Sequence, residues 1–309
     1  MNQPPAPELI EVIGADLGVD PAFVEKDWYA VRLAAIVAGV TGQEIYPVFS
    51  GGTSLSKAYG LIQRFSEDLD FKVAQPPGKL SRGRRRAFRN ALVAAVRNDA
   101  AFTLLDADIH SGDESRFFHC RVTYENVQAW NAALRPHLQL EVTFDPPVEP
   151  IERHPVSSFV ARARREAPEM AAMPCISPVE TAADKLSALT WRILTRQRQN
   201  PGDDPTLIRH LHDLAALEAR VIGNPAFVRL FLRTAAEDAG RGNPPEPLRA
   251  LGAIERLQRL RACLSDDVLY RGEYDRFVLG MSYAREGETP AFAEALESLE
   301  RLSTEIAGG

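Results

Sequence analysis

The sequence predicts an α/β domain followed by an all-helical one, and three observations carry that prediction. Short β-rich runs alternate with helical patterns through the first half of the chain. After Pro146-Pro147 the pattern turns almost wholly helical, with prolines at or just before several helix starts, where the missing N–H leaves no bond unmade. With 309 residues, 45% of them hydrophobic and 25% charged, the chain has an ordinary globular composition and the length for one large or two medium domains. The expected division is residues 1–150 and 151–309, joined near 146–156.

Residues 7–40 read as helix, with Val24, Trp28, Val31, Leu33 and Ala35 apolar at helical spacing. A β-rich run, Ile45 to Phe49, meets Ser50-Gly51-Gly52, and a further helix opens near Thr53, carrying Leu55 and Tyr59. Asp68 to Val73 alternates as a strand does. Pro76-Pro77-Gly78 closes it, and a basic helix spans Ser81 to Asn98. Strands are expected at Phe102–Ile109, Phe117–Tyr124 and Leu138–Phe144. Met173-Pro174-Cys175 reads as irregular, and helices follow over Val179–Gln197, Pro205–Arg220, Pro225–Ala239, Pro247–Leu264, Tyr274–Arg285 and Pro290–Ile306.

Charge and composition exclude several classes. A net charge of −6 argues against a protein that coats nucleic acid indiscriminately. Arginine is nevertheless clustered at Arg82, Arg84, Arg85, Arg86 and Arg89, at Arg162, Arg164 and Arg165, and at Arg192, Arg196 and Arg198. Each cluster is either a solvated helix face or a local phosphate-binding surface. No apolar run approaches the roughly 20 residues of a membrane helix, so no membrane partner is expected. The opening MNQPPAPELI lacks the basic start and apolar stretch of a signal peptide. Cys120, Cys175 and Cys263 are odd in number and scattered, which points away from disulfides and structural zinc and toward the cytoplasm. Trp28, Trp130 and Trp191 read as packing residues. His210 and His212, two apart on a helix, face different ways and make a poor zinc pair.

Three elements carry chemistry. Asp68 and Asp70, two apart on a strand, project from one face, where two carboxylates repel unless a cation lies between them. Magnesium, or manganese in its place, takes such oxygen ligands while keeping positions for substrate phosphates. Upstream, Gly51-Gly52 between a strand and a helix exposes backbone N–H groups to phosphates. Thr53 and Ser54 add hydroxyls, and Lys57 lies on the adjoining helical face. Third, Glu141 interrupts an apolar strand, where a carboxylate is costly unless paired or metal-bound. Each also has a plainer reading: a solvated strand edge for the aspartates, a tight turn for the glycines, an edge strand facing water for Glu141.

Together the three resemble the nucleotidyltransferase superfamily related to polymerase β. One branch is nearer still. Glu25-Lys26-Asp27-Trp28-Tyr29, the run Phe49 to Tyr59, Arg64-Phe65-Ser66-Glu67-Asp68-Leu69-Asp70-Phe71, the run Glu180 to Leu189, and Arg209-His210-Leu211-His212-Asp213-Leu214 resemble the AbiEii toxin family over nearly the whole chain. That resemblance implies an α/β nucleotidyltransferase core, a mixed sheet flanked by helices, with a helical C-terminal domain. It implies a nucleoside triphosphate substrate and a growth-inhibiting toxin of a toxin–antitoxin or phage-defence pair, with a cognate antitoxin partner like those of the family. Gly51 to Lys57 would form the first motif, Asp68 and Asp70 the metal-binding second, Lys185 the third and Asp213 the fourth. Two positions depart from the family pattern. The basic residue after Lys185 is Arg192, seven positions on, and His210 stands where the fourth motif usually has an aspartate after its arginine.

The expected activity is therefore metal-dependent transfer of a nucleotide to an acceptor hydroxyl, the 3′ end of transfer RNA or another RNA. In this reading Asp68, Asp70 and Glu141 hold the metal, and Gly51, Gly52, Thr53, Ser54 and Lys57 hold phosphates. Lys185 neutralises charge and Asp213 positions or activates the acceptor. Two alternatives stay open: the same chemistry on an antibiotic or a protein hydroxyl, and an interaction protein that keeps the fold without catalysis.

Overall fold

Alternation along the strands decides which face of the sheet is buried. The computed structural model describes residues 3–309 except 43, 79, 113, 114, 130, 132, 240–245 and 286. The chain forms two compact units. One runs to Gly60 and again from Phe65 to Ser177; the other comprises Leu61–Arg64 and Pro178–Gly309.

The first unit opens with α1 (Pro7–Leu17) and α2 (Pro21–Ala38). The single helix expected over 7–40 breaks here because Gly18 adopts φ +68° as a C-cap and Asp20 caps the next helix, accepting from the Ala22 N–H at 2.9 Å. The remaining elements are β1 (Tyr46–Ser50), α3 (Gly51–Lys57), β2 (Asp68–Ala74), α4 (Arg82–Arg97), β3 (Ile109–Gly112), β4 (Phe117–Val122), β5 (Leu138–Thr143), β6 (Glu152–Val156), α5 (Phe159–Ala163) and β7 (Met170–Cys175). Ser81 caps α4 through the Arg84 N–H. The strands form one mixed sheet in the order β3-β4-β5-β2-β1-β7-β6, with β2/β5 and β1/β7 parallel and the other neighbours antiparallel.

On β2, β5 and β4 the residues Leu69, Phe71 and Val73, Leu138, Leu140 and Val142, and Phe118, Cys120 and Val122 are buried. Phe49 of β1 stacks on Phe71 with ring centroids 5.2 Å apart, and Phe88 of α4 meets Phe144 edge-on. The alternate residues of the same strands are only partly buried or exposed, so the opposite face of this part of the sheet is polar.

The first unit extends beyond the junction expected near residue 150, because β6 and β7 lengthen the sheet. Both strands escape the period-2 pattern: Pro155 and Pro174 interrupt them, and Ala171 and Ala172 are exposed. The strand expected over 102–109 is a 3-10 turn at Asp106–Asp108 leading into β3.

The second unit is helical: α6 (Pro178–Leu194), α7 (Arg209–Val221), α8 (Pro225–Ala239), α9 (Glu246–Arg249), α10 (Ala253–Asp266), α11 (Leu269–Met281) and α12 (Phe292–Gly308). Its centre is α6, which packs against α7, α8 and α10. Leu186, Leu189, Leu211, Leu214, Leu299 and Leu302 are fully buried there. Trp28 is buried in the first unit; Arg256 lies over Trp191, 4.6 Å from its ring centroid; Trp130 lies outside the described residues. The three cysteines are free thiols, and burial pushes Cys120 and Cys175 up to about 12. Among the described residues no helix is long and apolar enough to cross a membrane.

His210 gives the second unit a pH dependence. Its imidazole is buried with no hydrogen-bond partner among the described residues. Burial, then the Lys185, Arg209 and Arg192 cations, holds it well below the usual histidine range, against the opposite pull of Asp213. The unfolded chain takes up that proton near pH 6.5 and the folded one does not, so stability is complete above pH 6.5 and falls below it. By pH 5.5 the loss attributable to His210 reaches at most about 1.4 kcal/mol. Urea melts at pH 7.5 and 5.5 should show His210→Gln losing that much less than the parent chain over the same interval.

Candidate active site

Strand register assembles the carboxylates that the sequence suggested. In the parallel β2/β5 pair Asp68 lies opposite Gln139 and Asp70 opposite Glu141. Residues opposite one another share a face, as do residues two apart, so Asp68, Asp70 and Glu141 all project from the polar face. Ser50 lies opposite Asp70 on the other side, in the antiparallel β1/β2 pair. Sequence reasoning passed over this serine, although its position directly before the double glycine was the available signal.

Gly51 begins α3 with φ +72°, and a Cβ built there would sit 1.9 Å from Asp70 Oδ2. The glycine is therefore required twice, by its left-handed backbone and by the carboxylate packed against it. Gly52 follows in the first turn. Of the other first-motif side chains, Thr53 and Lys57 are engaged within the protein, and Ser54 Oγ is buried with no hydrogen-bond partner among the described residues. Thr53 donates its hydroxyl to the Asp68 carbonyl at 2.5 Å, which ties α3 to the start of β2. The Ser54 hydroxyl is buried facing the Cys175 thiol. The Lys57 ammonium pairs with Asp27 and lies 3.4 Å from the Phe159 ring centroid. Burial pushes this lysine down and the Asp27 carboxyl up, while each offsets the other's shift by its charge.

Asp68 is held by Arg135, whose guanidinium donates to Oδ1 at 2.6 Å. Arg135 is pinned in turn. Its N–H donates to Glu67 at 2.6 Å, and its carbonyl accepts from Lys26 at 2.7 Å. Lys26 also pairs with Glu67. The two neighbours of Lys26 reach elsewhere: Glu25 accepts the N–H groups of Val127 and Gln128 at 2.7 and 3.0 Å, and Asp27 accepts that of Phe159 at 2.7 Å. Glu25-Lys26-Asp27 is thus three buried charges, each fastened to a different segment. Arg135 was missed because nothing local marks it; its partners lie 67 to 109 positions away.

Lys185 and Asp213 lie in the second unit. Asp213 is fully buried and receives two bonds from Arg64, at 2.7 and 2.6 Å, and the Lys185 ammonium at 2.7 Å. Burial alone would raise this carboxyl; the Arg64 and Lys185 cations outweigh it and hold it well below the usual range. Burial lowers Lys185, opposed by Asp213. Of the arginine clusters, Arg196 and Arg198 are bound to Asp203, Asp267 and Glu273. Arg85 is buried on the Leu80 carbonyl, and Arg164 pairs with Glu166. Arg82, Arg84 and Arg86 remain exposed on α4.

The donor set of Asp68, Asp70 and Glu141 is carboxylate oxygen throughout, the chemistry that magnesium and manganese take. Among the described residues no three His, Cys, Asp or Glu side chains converge closely enough to hold an ion in this conformation. The residues fit the metal in kind, and closing around it requires the Asp68 side chain to share or leave Arg135.

Two substitutions test this geometry. Gly51→Ala forces a left-handed conformation costing about 1–2 kcal/mol and displaces Asp70; a chain that still melts cooperatively should lose more than 100-fold in transfer rate if Asp70 is a ligand, roughly 2.7 kcal/mol of barrier. Asp213→Asn strands two buried cations, and denaturant melts should show about 3–5 kcal/mol of lost stability. Unchanged stability would contradict the buried-pair role.

Comparison with known proteins agrees with the fold. No curated protein matches the sequence. Among solved structures, the chain is similar to MenT4, a nucleotidyltransferase toxin from Mycobacterium tuberculosis H37Rv, with a TM-score of 0.51 and 18% identity over 95% of this chain and 98% of that one. At that identity the likeness speaks to the fold. A family model described as nucleotidyl transferase AbiEii toxin of type IV toxin–antitoxin systems matches residues 33–298. That span takes in the runs from Phe49 to Leu214 and leaves out Glu25–Tyr29, and the chain belongs to the AbiEii nucleotidyltransferase toxin family.

Proposed function

We propose that this nucleotidyltransferase is metal-dependent and transfers a nucleotide from a nucleoside triphosphate to an RNA 3′ end, that of transfer RNA first among them, inside the cytoplasm. The observation that carries the reading is the register placing Asp70 between Glu141 and Ser50, with Asp68 on the same face and Gly51 against the Asp70 carboxylate. Magnesium or manganese bound by Asp68, Asp70 and Glu141 would neutralise triphosphate charge and order its oxygens. The backbone of Gly51 and Gly52 and the Ser50 hydroxyl bind phosphate. Lys57, joined to Asp27, fixes α3 in place beneath them.

Lys185 and Asp213 keep their proposed roles on the strength of the family's third and fourth motifs. Lys185 neutralises triphosphate charge, and Asp213 positions or activates the acceptor. The exposed Arg82, Arg84 and Arg86 are candidate RNA contacts, whose contribution weakens with salt. Family membership supplies the remaining partner, an antitoxin.

Purified protein incubated with magnesium, each labelled triphosphate in turn and total transfer RNA should label the RNA, and Asp68→Ala should not. Protein that binds magnesium–nucleotide and labels no RNA would overturn the RNA acceptor. Arg135 and the metal compete for Asp68. Arg135→Ala should therefore tighten binding of magnesium alone, by about two- to fivefold for a partly exposed pair worth up to about 1 kcal/mol, as read by calorimetric titration.

A further inference from the structure

The polar face of the sheet continues past Glu141 to its edge. His119 of β4 lies opposite Glu141, and His110 of β3 lies opposite His119. The five strand positions Ser50, Asp70, Glu141, His119 and His110 therefore form one row. Phe117, two residues before His119, shares its face. The His110 and His119 ring centroids are 4.8 Å apart, and those of Phe117 and His119 5.7 Å. Three rings thus lie side by side at the edge of the sheet, partly buried at Phe117 and His119 and exposed at His110.

We propose that Phe117, His119 and His110 form a stacking platform for the terminal base of a single-stranded RNA acceptor. The inference rests on the RNA-acceptor reading above and specifies how that acceptor is held. Direction supports it. The Gly51-Gly52 turn lies on the β1 side of Asp70, and in-line displacement puts the entering hydroxyl opposite the leaving pyrophosphate. The acceptor then arrives from the Glu141 side, where the rings are. Strand spacing places His119 one step of about 4.8 Å from Glu141 and two from Asp70, a span that one nucleotide bridges between its base and its ribose hydroxyl. Rings on an open sheet face stack unpaired bases whatever their sequence. Arg121, exposed two residues further on the same face, is placed for a backbone phosphate.

The test uses the full chain and a short single-stranded RNA carrying 2-aminopurine as its 3′ base, without nucleotide. Binding should quench the fluorophore. Phe117→Leu and His119→Ala should each weaken binding by roughly fivefold to 150-fold while leaving the affinity for magnesium–triphosphate unchanged. The exposed His110→Ala, which disturbs no core, should weaken it in the same sense. An RNA with an abasic 3′ end should bind as weakly as the variants. Equal binding by parent and variants, equal binding of the abasic RNA, or no binding at all would overturn the platform. Label transfer to RNA in the assay above is read separately, so failure of the platform and failure of the RNA-acceptor reading are told apart.

Discussion

Three carboxylates on one face of two neighbouring strands repel one another, and much of the first unit is arranged around that repulsion. Asp68, Asp70 and Glu141 are brought together by register, not by attraction. Within the protein the Asp68 charge is answered by Arg135, and Arg135 stays in place because Lys26 and Glu67 grip its backbone from both sides. An arginine loosely attached to a loop would lose side-chain entropy and bind little more tightly than solvent permits. Fixed at its backbone, it makes the cluster tolerable before substrate arrives and can yield when a stronger cation does.

The charged run on α2 shows the same logic from beneath. Burying Glu25, Lys26 and Asp27 is unfavourable for each residue alone. Every one of them is compensated by hydrogen bonds or an opposite charge from a distant segment: the 127–128 turn, Arg135 with Glu67, and the start of α5 with Lys57. Such contacts contribute little net stability and much specificity, since any displacement of α2 leaves charges unpaired in the interior. The helix accordingly acts as a template that sets the positions of α3, the Arg135 loop and α5 together.

The legible part of the site was the part with a period. Alternation along β2 put Asp68 and Asp70 on one face, to which the β2/β5 register adds Glu141, and Ser81 and Asn98 bounded α4 almost to the residue. Burial of polar side chains was not legible. Lys57 has the residue type of a phosphate site, yet its ammonium closes on Asp27, and Asp213, expected at the acceptor, is enclosed by Arg64 and Lys185. Nothing in their local sequence distinguishes a cation aimed at substrate from one aimed at an interior carboxylate. The strands β6 and β7 escaped because prolines break the alternation. Gly51 was identified through its backbone freedom; its second requirement, space for the Asp70 carboxylate, exists only once β1 and β2 pair.

The contacts of α2 also set when the site can exist during synthesis. Asp27 is joined to Phe159 across 132 positions, and Lys26 to Arg135 across 109. At about 5–20 residues per second, Phe159 is made about 7–26 s after Asp27. Until then Asp27 lacks the Phe159 N–H, although Lys57, Glu67, the 127–128 segment and Arg135 have already been made. A truncated product that ends before α5 carries every first- and second-motif residue and the Arg135 anchor, yet leaves the buried Asp27 carboxylate without the Phe159 N–H that it accepts.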